Sequence, residues 1–118
     1  MTTQAEEYTR TSRESLVKAE EALAQDDLLQ ASEKGWGATA YIVKGIAQRG
    51  GWQHSGHREL FQTVNRLVQE TGDRELRSLF NVADSLHSNF CENWRPREFV
   101  EDGLERVTEF IQKLEGLP

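Results

Sequence analysis

The chain has 118 residues and a formal net charge of −6, a length that fits one domain burying roughly two thirds of its unfolded surface without staples. The acidic balance argues against generic adhesion to nucleic acid or to an anionic membrane. A single cysteine, Cys91, excludes an intramolecular disulfide framework and fits a reducing compartment.

The opening segment MTTQAEEYTRTSRES is charged and has no apolar centre, so it does not read as a signal peptide. No run approaches the roughly 18 apolar residues of a membrane span. A soluble, cytoplasmic, single domain is expected. The first helix is predicted over 5–24, with Thr3 and Glu6 placed as a capping box. Its apolar face (Tyr8, Ser15, Leu16, Ala19, Ala22, Leu23) is thin, which suits an element covering the bundle from outside. Asp26 and Asp27 stop it and cap a second helix over 28–48.

That second helix is crowded with small residues, and its glycines Gly35, Gly37 and Gly45 each cost about 1 kcal/mol against alanine. Close packing on several sides is the compensation to expect, which makes it the central element. At 3.6 residues per turn Leu29, Glu33, Trp36, Ala40, Val43 and Ala47 share a face. Glu33 on that stripe is either a carboxylate facing a pocket or one arm of an ordinary salt bridge, because a one-residue step rotates the face by about 100°.

Gly50 and Gly51 end the second helix, and 50–56 is the longest irregular stretch. The third helix is predicted over 57–71 with Leu60, Phe61, Val64, Leu67 and Val68 inside, followed by Gly72 at C′ and Asp73 as N-cap. A fourth follows over 74–93 through Leu76, Leu79, Phe80, Ala83, Leu86, His87 and Phe90. Pro96 opens a fifth over 97–115 with Phe99, Val100, Leu104, Val107, Phe110, Ile111 and Leu114. No segment alternates with period two. The fold expected is all-α, an up-and-down antiparallel bundle of four to five helices.

Charge is uneven along the chain. Between Lys44 and Arg66 the bases Lys44, Arg49, Arg58 and Arg66 face Glu59 alone, with His54 and His57 among them. The loop His54-Ser55-Gly56-His57-Arg58 gathers polar and basic groups at a helix start, where free N–H groups and the helix dipole favour anions. It reads equally as a capped loop with Ser55 as N-cap. His87 stands with Asp84 at i−3 and Cys91 at i+4. That places a histidine on a core face, hydrogen-bonded there or turned to a ligand; no second ligand pair accompanies His87 and Cys91, so no metal site and no cofactor is expected. Trp94, at a turn, would mark a partner surface if exposed. No P-loop, GxGxxG, HExxH or nucleophile-elbow pattern occurs.

The run QASEKGWGATAYIVKGIAQRGGWQHSGHREL, followed by TGDRELRSLFNVADSLHSNFCENW, resembles the PaREP family of small helical proteins, related in fold to HEPN domains. The resemblance spans about 22–114. It implies an HEPN-like bundle, a homodimer, and a groove for a nucleotide or another small polar ligand. HEPN ribonucleases carry Arg-x4–6-His near the start of the last long helix; the region 84–97 lacks it, since Arg95 and Arg97 have no following histidine. The function expected is therefore a non-enzymatic module that dimerises and binds a partner protein or small polar ligand. Its groove would be built from Glu33, Trp36, Asp84 and His87, with His54, His57 and Arg58 at the mouth. The alternative is a metal-independent ribonuclease using Arg49, His54 and His57 as base and acid.

Overall fold

Thr3 opens the first helix as expected: its side chain accepts from the Glu6 N–H while the Glu6 carboxylate accepts from the Thr3 backbone. The structure, a computed structural model, describes residues 2–117, with the side chain of Cys91 outside the description. Five helices follow in order: α1 (Gln4–Ala24), α2 (Leu28–Gly50), α3 (His57–Thr71), α4 (Glu75–Glu92) and α5 (Arg97–Glu115). No strand occurs among the described residues. Each predicted helix is present, with boundaries within two residues of expectation.

Local chemistry explains the boundaries. Asp26 takes a left-handed conformation (φ 60°) and Asp27 accepts from the Gln30 N–H, so the two acids turn the chain between α1 and α2. Gly72 closes α3 at φ 77°. The N-cap of α4 is Arg74, without a side-chain capping bond, rather than the expected Asp73; the Asp73 carboxylate, one residue earlier, still accepts from the Glu75 N–H at 3.1 Å. Ser55 does not cap α3; the N-cap is Gly56, with no side-chain bond.

α2 is the centre of the molecule, touching all four other helices. Its buried positions include Ala31, Ser32, Gly35, Ala38, Thr39, Ile42, Val43, Ile46 and Ala47. They reach around the helix rather than forming one stripe; Trp36, Ala40, Val43 and Ala47 of the predicted face pack inward, and the departure is at Glu33, where Ser32 turns to α4 instead. Ser32 is buried where Glu33 was expected; Glu33 is half-buried.

The small residues of α2 work as close-approach points. A Cβ at Gly45 would lie 3.3 Å from the Ala5 carbonyl of α1, and one at Gly35 would lie 2.5 Å from a methyl of Leu104. Along the α1–α2 seam Ser12 donates to the Ala38 carbonyl at 2.6 Å and Ser15 to the Lys34 carbonyl at 2.8 Å. The order of these contacts makes the pair antiparallel. α3 against α4 (His57 at Asp84, Phe61 on Phe80, Asn65 at Arg77) and α4 against α5 (Leu86 at Gly103, Phe80 on Phe110) are antiparallel as well.

α2 and α3 differ from a simple up-and-down order. The first residue of α3, His57, meets Trp36, while its last turn shares a cleft with Ile46 and Arg49. The two helices therefore run in the same sense. Residues 51–56 span up to about 20 Å when extended, enough to carry the chain back along α2.

Candidate binding site

Three helices meet at one cluster. Trp36 comes from the middle of α2, His57 from the first turn of α3, and Asp84 and His87 from one side of α4. The three rings are mutual neighbours, with centroids 5.1 Å apart for Trp36–His57, 5.3 Å for Trp36–His87 and 5.6 Å for His57–His87. Their planes are tilted by 32–40°. Beneath them Phe61 and Phe80 meet edge to face at 4.7 Å, the separation and attitude aromatic pairs favour. Phe80 is fully buried, so the shelf rests on the core.

Asp84 gives the cluster its polarity. Its Oδ1 lies 2.9 Å from Nε2 of His57. A carboxylate oxygen accepts, so Nε2 of His57 is the donor in this contact. Side-chain exposure is 46% for His57 and 34% for Asp84, so solvent and solutes reach both. The arrangement is a half-exposed aromatic shelf bearing one carboxylate and two imidazoles.

The predicted site residues divide between this place and others. Trp36, His57, Asp84 and His87 come together. His54 does not join them: Nε2 pairs with Gln48 Oε1 at 2.9 Å and the ring meets Tyr8 edge-on at 5.5 Å, which ties the loop to α1 and the end of α2. Arg49 lines an open cleft of about 420 Å³ together with Arg10 and Arg13 of α1. Arg49, His54 and His57 thus project to different neighbours. Arg58 is exposed beside His57, and Glu33 has no ion pair or side-chain hydrogen bond among the described residues. No group of three or more His, Cys, Asp or Glu suited to a metal ion occurs among the described residues. The pairing of His87 with Cys91 lies outside them.

Sequence reasoning missed Asn89. It is fully buried and links three segments: Nδ2 donates to Ser32 Oγ at 2.8 Å, and Oδ1 accepts from the N–H groups of Trp94 and Arg95 at 3.2 and 2.8 Å. The signal available was a polar residue on the inward side of α4, three positions after Leu86. Asn89 fixes the end of α4 next to His87 and shapes the turn carrying Trp94, which is 61% exposed.

Residues 7–111 match the sequence pattern of the Archaeal PaREP1/PaREP8 family. The chain belongs to that family. No curated protein matches it. The PaREP1/PaREP8 chain is also similar to a protein of known crystal structure from Sulfolobus solfataricus, with a TM-score of 0.73 and 22% sequence identity. That likeness covers 98% of this chain and 96% of the Sulfolobus one, and it shows a shared fold. No helix among the described residues is long and apolar enough to cross a membrane.

Proposed function

We propose that this PaREP1/PaREP8 protein is a non-catalytic, HEPN-like binding module of the cytoplasm, working as a homodimer, that takes a small polar ligand at the Trp36–His57–Asp84–His87 cluster. The observation carrying the reading is the convergence of those four side chains from three helices on a half-exposed aromatic shelf. Aromatic and imidazole faces suit a planar heterocycle. Asp84 suits its N–H donors, and Arg58, exposed one residue further along α3, is the cation available to a phosphate, so a nucleotide is the ligand class favoured. Trp94 and Phe99, respectively 61% and 62% exposed, offer apolar surface for a second copy.

Nucleoside monophosphates titrated against the protein test this, read by Trp36 fluorescence, since two imidazoles sit against that indole. Saturable binding by wild type, lost in His57→Ala with the helical circular dichroism intact, is the expected result. Absence of binding by every nucleotide tried, or unchanged affinity in His57→Ala, refutes the site. Light scattering that returns a strict monomer refutes the dimer.

A second reading has one observation in its favour. A histidine held by a carboxylate beside another histidine is also an acid–base pair. On this geometry a ribonuclease would use His57 and His87, with Arg49 and His54 playing no part. RNA cleavage by clean protein, abolished by His87→Ala and unaffected by His54→Ala, would replace the binding reading with this one.

A further inference from the structure

Beside the aromatic shelf, α3 and α4 leave a groove of about 260 Å³ lined by Phe61, Val64, Asn65, Arg77, Phe80 and Asn81. Its walls are apolar, and its rim carries two amides and one guanidinium. We infer that this groove is a second ligand site, selective for a small aromatic monocarboxylate whose ring lies against Phe61 and whose carboxylate is held by Arg77. The inference stands apart from the nucleotide reading of the neighbouring shelf.

Arg77 is the deciding residue. Its Nε and Nη2 both donate to Asn65 Oδ1, at 3.2 and 2.7 Å. It has no carboxylate partner among the described residues, unlike Arg10, Arg13, Arg66, Arg97 and Arg106, each of which has one. A neutral amide therefore orients the guanidinium without cancelling its charge. The side-on edge is taken by Asn65, and the end-on edge formed by Nη1 and the second Nη2 hydrogen stays open to grip a carboxylate with two parallel bonds. One turn along α4 the neighbour is Asn81, whose amide adds a donor rather than a competing acid.

Size selects the ligand body. A cavity of about 150 Å³ holds a benzene ring, so 260 Å³ accommodates one ring with a short acid arm and excludes a fused polycycle. Phe80 is buried and already meets Phe61 edge to face; Phe61, half-buried at the groove, offers the same geometry to a second ring.

The test is an amide-resolved NMR titration of the full chain with phenylacetate, with 2-phenylethanol as the uncharged control. A ligand of this size should bind with Kd of about 1 mM. Saturable shifts at Asn65, Arg77 and Asn81 are expected, weakened about tenfold in Arg77→Gln, while the control binds both proteins equally and more weakly. Arg77 is exposed, so Arg77→Gln leaves the core untouched. No saturable shift with phenylacetate overturns the site. Equal affinity of wild type and Arg77→Gln overturns the carboxylate assignment, and shifts centred on Trp36 and His87 would transfer the ligand to the shelf.

Discussion

Replacing Asn89 by alanine should destabilise this domain out of proportion to the change in size. Asn89 makes three hydrogen bonds, one to buried Ser32 and two to backbone N–H groups of the α4–α5 turn. Each is worth about 1 kcal/mol net, and the partners left inside the fold lose water as well, so the total is about 3 kcal/mol. For a chain of 118 residues the unfolding entropy is about 250 cal/mol/K, so the midpoint should fall by about 12 °C. Ser32→Ala removes one of the three bonds and should cost about 1 kcal/mol. The double variant should be more stable than the sum of the singles predicts, with a coupling of about 1 kcal/mol. Calorimetry, or denaturant unfolding followed at 222 nm, reads all four proteins. A drop of under about 2 °C for Asn89→Ala, or strict additivity with Ser32→Ala, would refute the three-way link.

Gly35→Ala should also destabilise, by about 1 kcal/mol, because overpacking against buried Leu104 and Leu86 outweighs the gain in helix propensity; urea unfolding checks it. Asp73 and Lys113 set an acid-side dependence. The Lys113 ammonium, 2.8 Å away, holds the Asp73 carboxyl below its ordinary value of 3.8. Its contribution is therefore complete above pH 3.8 and lost as pH falls through the lower folded value. Thermal midpoints measured from neutral pH downward should fall less steeply below pH 3.8 in Asp73→Asn than in wild type. The same pair holds the Lys113 ammonium above 10.5, chiefly through its bond to Asp73, so that contribution fades as pH rises past this higher folded value.

Helix ends were legible because a few adjacent residues decide them. Thr3 with Glu6, Asp27, Gly72 and Asp73 each act on backbone groups no more than four residues away. The inward residue of the first turns of α2 was not legible for the opposite reason. A helix packed on several sides has no clean polar face for periodicity to find, so Glu33 and Ser32 could exchange places in the reading. The candidate site was half legible. Asp84 and His87 share a side of α4 by spacing alone, but their partner from the loop region was ambiguous among His54, His57 and Arg58. Two residues separate His54 from His57, and the chain turns back between them. One ring goes to Tyr8 and the other to Trp36, a choice made by tertiary packing that no local pattern encodes.

The seam between α1 and α2 has a consequence for how the domain opens. Of the buried residues on α1, only Leu23 is large; the others are Ala5, Ser12, Ser15 and Ala19. Such a surface gains little from loose apolar contact, and its hydroxyl-to-carbonyl bonds form only when the helices are nearly touching. α1 is therefore held all along its length or hardly at all. In native-state hydrogen exchange it should behave as one cooperative unit that detaches below the global unfolding free energy, leaving α2–α5 assembled around their aromatic core.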